Sequence, residues 1–441
     1  MPSLLKDSLI TAVSRAATVS LALLSSVLVA RVLGPSLKGT YSLTVLIAQV
    51  ASLLLVLGLG SANVYFGARQ PRLLPTLAGN SGVAAAGFGL LGVAGVLALT
   101  WVPRMQSYLV ANGIHPAALR WLVLVLPVML FTAYAQEILR AAGDLLRYNA
   151  VSVLTALTLL AGFVVALGVW HFGLAGAVTA WVTSQGLVAA CVAYWVWRRL
   201  GGRLAVSLPQ LRESLRFGVR LYPGNVAQFL NYRLDLFLVA LFLRPLDVGL
   251  YSIATGLAER LWEVPHALRT VLLHRVAGTS HTETADAVTA RVVRLVAPLA
   301  AAGCAGVAAA SWLVIDGLYG RAYVPGAPAL AVLMPGVWAM SVGKLLAVHL
   351  TGRGHPEVGT YAALVSLIVT VVLDLALIPS VGIVGAAIAS SVAYALATAV
   401  ITAFFLRITQ LRLADVLLPR SEDLALLGRR LRWPAWPRGA R

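Results

Sequence analysis

Glu259 and Glu263 stand four residues apart inside an apolar stretch. On a helix that spacing puts two like charges one turn apart, where they repel unless a proton or a cation intervenes. They are candidates for a proton- or cation-sensitive coupling element, with Asp235 as a third, or else for partners of Arg15 and Arg260. Arg15, Arg120, Arg220, Arg233, Arg260, Arg269, Arg294 and Lys344 likewise lie within or at the edges of apolar stretches. At a helix centre each such charge costs ~2.5 to 3.5 kcal/mol to insert, so these groups usually face a bundle interior or a water-filled space. Arg120 and Arg294 sit close to segment ends and are expected to snorkel to the interface. A guanidinium stays protonated and makes paired contacts to phosphate, so the deeper arginines suit an anionic ligand. The sequence holds no ATP-type phosphate loop, no HExxH and no paired metal-ligand cluster. No cofactor, no metal and no enzymatic role are therefore expected, and energy must come from an ion gradient, the membrane potential or substrate supply.

Helical periodicity sorts these residues into faces. Around residue 220, Arg220, Gly224, Gln228, Asn231 and Asp235 fall within an arc of about 80° at ~100° per residue. Ser252, Thr255, Glu259, Glu263, His266, Thr270 and His274 make a second stripe. Ser8, Thr11, Arg15 and Ser26 make a third, and Ser42, Gln49, Ser52, Gly60 and Asn63 a fourth. Arg233 lies opposite Arg220 and is expected to pair locally or to sit near the outer interface. Four polar stripes predict a hydrated cavity lined by Arg15, Gln49, Asn63, Arg220, Gln228, Asn231, Arg260 and Arg269. Pro223 and Gly224 are expected to break their helix and act as a hinge, as interrupted helices do at transport sites.

The elements that must carry these stripes are membrane helices. Sixty per cent of the 441 residues are hydrophobic and 11% are charged, where a soluble domain carries roughly 25% charge. A chain of this composition has no surface to offer water. Apolar stretches long enough to cross the hydrocarbon core occupy residues 8–30, 41–66, 80–102, 121–139, 149–170, 174–197, 217–243, 250–273, 292–315, 329–350, 359–378 and 384–406. The fold class is thus an all-α polytopic membrane protein of about twelve transmembrane helices. The first stretch is too long for a signal-peptide core and lacks a cleavage site, so it reads as a retained helix. Cys191 and Cys304 fall mid-helix, where packing is the expected role.

With the N-terminus inside, inner segments hold 21 Lys and Arg and outer loops 5, which predicts cytoplasmic termini. This bias accounts for most of the net charge of +18, and no nucleic acid partner is expected. Arg429, Arg430 and Arg432 beside Trp433 and Trp436 suit an anionic inner leaflet.

The chain also repeats itself. LGPSLKGTYS from Leu33 aligns with LRPLDVGLYS from Leu243 at an offset of 210, and GLAGAVTA from Gly173 with GIVGAAIA from Gly382 at an offset of 209. A repeat of six helices enters the membrane twice in the same direction, which predicts two parallel six-helix lobes around a central cavity. The lobes span residues 1–200 and 217–407, joined by a basic cytoplasmic linker at 201–216 and followed by a basic cytoplasmic tail at 408–441.

The segments RVLGPSLKGTYS, VLGLGSANVYF from Val56 and IPSVGIVGAAIASSVAYA from Ile378 resemble the polysaccharide-transporter branch of the multidrug, oligosaccharidyl-lipid and polysaccharide exporter superfamily. The resemblance spans all twelve segments; fourteen would point to the lipid II flippase branch. It implies a bacterial inner-membrane flippase for polyprenyl-diphosphate-linked oligosaccharide in polysaccharide biosynthesis, of the kind that serves O-antigen or exopolysaccharide export. It also implies membrane lipids, a polysaccharide polymerase and chain-length machinery as partners, and places segments 1, 2, 7 and 8 around the cavity. The alternatives are a multidrug-type, cation-coupled exporter, whose organic cations would favour an acidic cavity, and a membrane-embedded glycan polymerase or ligase, which would need a larger outer loop.

Overall fold

The computed structural model describes residues 2–114, 119–120, 122–263, 265, 282–418 and 420, without the side chains of 2–9 and 282–284. Among them there is no strand. Fifteen α-helices follow one another: α1 (Pro2–Val56), α2 (Leu59–Arg69), α3 (Leu74–Leu99), α4 (Pro103–Ala111), α5 (Leu126–Ala141), α6 (Leu145–Phe163), α7 (Gly173–Arg199), α8 (Leu208–Phe242), α9 (Pro245–Arg260), α10 (Thr282–Ala309), α11 (Ser311–Tyr319), α12 (Ala327–Gly352), α13 (Glu357–Val381), α14 (Ile383–Thr409) and α15 (Leu413–Leu417).

Nine helical runs among the described residues are long and apolar enough to cross a membrane. The first, Ile10–Val56, has 47 residues, more than twice the ~20 that one crossing needs. It is two crossings joined at Gly34, whose φ of 70° and ψ of 172° are not helical and suit glycine alone before Pro35. The second repeat makes the same break at Leu243 and Arg244, before Pro245, where the backbone is extended. Two further crossings lie outside the nine. In α8, Asn225, Gln228, Asn231, Arg233 and Asp235 depress the hydropathy, and the described part of α9 has only 16 residues. With these the described residues account for the twelve crossings expected from the sequence.

In the first bundle α1 packs on α6, α3 on α5, and α6 on α7; in the second, α8 packs on α13, α12 on α14, α13 on α14 and α10 on α12. The bundles meet through α1 against α9 and α2 against α8. At one end the repeated motif folds onto itself. A Cβ on Gly39 would sit 1.8 Å from the Pro245 carbonyl oxygen, and one on Gly249 would sit 1.9 Å from that of Pro35. Ser42 donates to Ser252 over 3.3 Å. The matched tyrosines turn away from the axis, each into its own bundle: Tyr41 edges onto Phe163 and Tyr251 donates to Asp235. The same end is held by Arg31, which donates to the carbonyls of Gly317 and Leu318 at 2.7 and 2.8 Å, and by Tyr323, which donates to that of Ala30.

Several expectations are corrected. The helix expected over 217–243 begins at Leu208, and residues before it are strapped to the first bundle. Asn80 of α3 accepts from the Ser207 amide at 2.9 Å and donates to its carbonyl at 3.0 Å, while the Ala205 amide donates to Pro75. The helix α8 runs unbroken through Pro223 and Gly224. The break lies instead on its neighbour, at Leu57 and Gly58, with φ of 48° and 70°. Arg294 does not snorkel: it is 6% exposed and donates to the Asp415 carbonyl, beneath α15. Arg120 donates to Thr100 and lies over the Trp101 ring.

The Gly39–Gly249 contact leaves no room for a side chain. On a background with Cys191 and Cys304 replaced, Ser42→Cys with Ser252→Cys should crosslink under mild oxidation, and adding Gly249→Val should slow that by roughly tenfold or more. Equal crosslinking with Gly249→Val would show that the lobes do not close on these glycines.

Candidate functional site

Two faces of the helix α8 meet protein, while residues such as Arg220 and Leu221 leave part of it exposed. The stripe Arg220, Gly224, Gln228, Asn231 and Asp235 does not line the space between the bundles. A Cβ on Gly224 would lie 2.7 Å from the Thr360 hydroxyl of α13. Asn231 accepts from Ser366 at 3.0 Å and Thr370 at 3.2 Å, both on α13. Asp235 accepts from Tyr251 at 2.7 Å, from Ser390 at 3.3 Å and from the Leu236 amide. Asn231 and Asp235 are 1% and 2% exposed and belong to the core of the second bundle. Gln228 is half-buried, and Arg220 is exposed at the start of the stripe. Periodicity finds a polar face without saying which neighbour it meets, and an inner helix of a two-bundle protein has protein on both sides.

In that core stands Asp374 of α13, fully buried, with no hydrogen-bond partner for either carboxylate oxygen. It is close enough to Asp235 for their charges to interact. No sequence argument singled it out, because Asp374 is a lone acid in an otherwise apolar stretch, and only the packing of α13 on α8 brings it to Asp235.

The opposite face of α8 looks onto the first bundle. There Gly218 closes on Gly58, where a Cβ would lie 2.7 Å from the Gly58 carbonyl, while Phe217, at the start of the stripe's own side, stacks on Tyr65 with ring centres 4.4 Å apart. The turn at Leu57 and Gly58 ends α1 early and frees its last carbonyls, which need donors. Two tyrosines supply them. Tyr222 donates to Leu53 at 2.5 Å, and Tyr134 of α5 donates to Val56 at 3.1 Å and Leu55 at 3.3 Å. Between them opens a cavity of about 350 Å³ whose wall mixes apolar Val56, Val64 and Ala133 with polar groups from both bundles: Ser61, Glu137, Arg140, Tyr222 and Asn225. Glu137 and Arg140 pair at 3.4 Å on successive turns of α5. Sequence periodicity does not reveal this cavity. The signal was present in the polar run Gln136, Glu137 and Arg140 at the end of an apolar segment, but nothing in the sequence shows that α1 stops at Val56 and makes room.

The remaining charged candidates form a second set along α1, α8 and α9. Arg15 pairs with Glu263 across the bundles, one of the partnerships open to it. Arg260 donates to the Val19 carbonyl at 3.0 Å, also across the bundles. Glu259 does not pair with Arg260 but receives two bonds from Arg233, at 2.6 and 3.0 Å; Arg233 thus pairs locally. Lys344 lies 3.6 Å from the centre of the Trp262 ring. Gln49 is half-buried on α1, whereas Asn63 is 1% exposed and donates to Ser81 within the first bundle, so Asn63 does not line the cavity. Arg269, with His266, Thr270 and His274, lies outside the described residues.

The fold is that of known transporters. A multidrug resistance MATE family transporter of the MOP superfamily, in its inward-facing conformation, superposes with a TM-score of 0.70 over 90% of this chain and 98% of its own, at 16% identity. Lipid II flippase MurJ in an inward closed conformation does so with a TM-score of 0.72 over 95% and 92%, at 13% identity. A MOP superfamily transporter from Pyrococcus furiosus, described as having a binding pocket of reverse polarity, gives 0.62 over 93% and 96%, at 16% identity. Among curated proteins no sequence matches. Residues 28–328 match the family model described as polysaccharide biosynthesis protein; that is more than half of the chain, which therefore belongs to the polysaccharide biosynthesis protein family.

Proposed function

We propose that this protein is a flippase that carries polyprenyl-diphosphate-linked oligosaccharide across the bacterial inner membrane by alternating access. Two lobes, residues 1–200 and 217–407, rock about the seam between them, with both termini and the strap at 201–216 on the cytoplasmic side. The observation that carries this reading is the polar cavity at the seam, in which the carboxylate already faces a guanidinium. Glu137 has Arg140, and the neighbouring acids Glu259 and Glu263 have Arg233 and Arg15. An exporter of organic cations would need carboxylates left over. What the cavity offers instead is paired donors and acceptors from Ser61, Glu137, Arg140 and Asn225, which suit the hydroxyls of a glycan. A volume of about 350 Å³ is at the small end of ligand pockets, ~300–1,000 Å³, as fits a seam that must open to load.

Coupling belongs to the core of the second lobe. With Glu259 and Glu263 engaged by arginines, the buried acid left to take a proton or a small cation is the partnerless Asp374, packed with α13 against the helix that carries the hydrogen-bonded Asp235. A buried carboxylate without a partner is costly, and a bound proton or cation offsets that cost. Because α8 carries Asp235 on one face and the cavity residues Tyr222 and Asn225 on the other, a change of packing at Asp235 is transmitted to the seam.

Four outcomes test this. Proteoliposomes holding the protein should move lipid-linked oligosaccharide between leaflets, and Glu137→Ala with Asn225→Ala should slow this by about tenfold or more at equal abundance. Vesicles that move no such lipid but accumulate organic cations would replace the reading with drug export. Asp374→Asn should abolish the dependence of transport on the pH or sodium gradient; an unchanged dependence would take Asp374 out of coupling. Arg15→Glu and Glu263→Arg should each impair transport and the double exchange should restore much of it, whereas additive losses would deny the pair a role. Labels at residue 203 should be reached only from the cytoplasm, and labelling from outside would invert the topology.

A further inference from the structure

The basic end of α8 carries Arg212, Arg216 and Arg220 at four-residue spacing, and all three are exposed. That spacing sets them in one column down the helix, within about 80°. None has an ion-pair partner among the described residues, and the one acid beside them, Glu213, is exposed and pairs with none of them. Further along the helix the same side turns apolar and becomes one wall of a groove of about 390 Å³. Val226 and Leu230 of α8 face Leu54 and Leu57 of the first bundle across it, and Leu364 and Leu367 of α13 complete it. Leu54 is 53% and Leu364 42% exposed, so the groove opens outward to the lipid. From Arg220 to Leu230 it runs ~15 Å along the helix at 1.5 Å per residue.

The groove's inner wall is Tyr222, which also lines the polar cavity. One side chain, fixed by its bond to the Leu53 carbonyl, therefore separates a space for hydroxyls from a channel for hydrocarbon. On the flippase reading, on which this inference rests, we propose that this face of α8 is the docking site for the carrier lipid itself. Its diphosphate lies on the arginine column, the first part of its polyprenyl chain lies in the groove, and its glycan turns past Tyr222 into the cavity. Three unpaired guanidiniums match a diphosphate, which has several negative charges and many acceptor oxygens, better than the single phosphodiester of a bulk lipid. A single groove also takes one chain, where a phospholipid brings two. Arg220 thus acts at the lateral face of the protein and not in the central space.

The test is binding of three probes to the purified full-length protein: a long-chain polyprenyl diphosphate without sugar, the matching polyprenol, and phosphatidylglycerol. Replacing Arg212, Arg216 and Arg220 together by Gln should weaken binding of the diphosphate by at least about tenfold, and replacing them by Lys should weaken it less. Val226→Trp, which fills the groove, should weaken the diphosphate and the polyprenol alike. Phosphatidylglycerol should bind wild type and the Gln variant equally. If the Gln variant loses phosphatidylglycerol as strongly as the diphosphate, the column is a general anionic-lipid patch and the proposal fails. It fails also if the diphosphate binds the Gln and Trp variants as it binds wild type, an outcome that leaves the flippase reading standing. A wild-type protein that binds no polyprenyl diphosphate would overturn the flippase reading, and this site with it.

Discussion

Two helical bundles in a membrane gain little from hiding apolar surface against each other, because lipid is as apolar as a leucine side chain. What holds them must be close packing and polar contact. Here close packing is achieved by backbone approach at glycines, and it occurs at two places along the seam. At one end Gly39 and Gly249 each admit the carbonyl of the other repeat's proline. Towards the other end Gly58 and Gly218 abut. Between and beside these contacts the seam is polar, with Ser42 on Ser252, Arg15 on Glu263 and Arg260 on the Val19 carbonyl. A seam of a few glycine contacts and a few hydrogen bonds resists separation far less than an interdigitated core does, which is the property that a rocking transporter needs.

The contacts within each bundle are of another kind. The polar network of Asn231, Asp235, Tyr251, Ser366, Thr370 and Ser390 ties α8 to α9, α13 and α14 in places where breaking a bond would leave a group stranded in hydrocarbon. Such a network keeps a bundle moving as one body. The division of labour follows: hydrogen bonds sealed from water stiffen each bundle, while glycines and ion pairs that reach water join the two. Asp374 stands apart from this network, with no bond of its own, and a buried carboxylate without a partner is costly.

Much of this was legible in the sequence because the membrane simplifies the reading. The twelve crossings follow from length and hydropathy, and the repeat at offset 210 locates the clasp: the matched Gly39 and Gly249, and Ser42 and Ser252, stand against each other in space. The polar stripe of Glu259 and Glu263 does face the other elements of the seam, through Arg233 and Arg15. The stripe on α8 does not line the cavity that its periodicity predicts, and the reason is its packing within the second bundle. Asn231 and Asp235 of that stripe are sealed inside the bundle, whereas the face that meets the cavity carries Tyr222, Asn225 and Arg233 among apolar neighbours. The Pro223-Gly224 pair also predicts a break where the helix continues, whereas nothing in the sequence marks the turn at Leu57 and Gly58, against which Gly218 of the other repeat closes. A local sequence carries no record of a partner more than a hundred residues away unless the partner is its own copy.

That break is also what makes the site. Had α1 continued past Val56, its carbonyls would have bonded within the helix and the two tyrosines would have had no acceptors there. By stopping at Leu57 the chain exposes three carbonyls, of Leu53, Leu55 and Val56, and fixes Tyr222 and Tyr134 on them. With Tyr222 held, polar groups gather on its inner side and leucines on its outer side. A cargo that is sugar at one end and hydrocarbon at the other cannot be enclosed whole by either kind of surface; it can cross only along a boundary between the two. On the flippase reading that boundary coincides with the seam about which the two bundles would rock, so that opening it would widen the side that carries the polar groups while the apolar side stayed against lipid. On that reading the polyprenyl chain of the cargo need not leave the membrane for its headgroup to change leaflets.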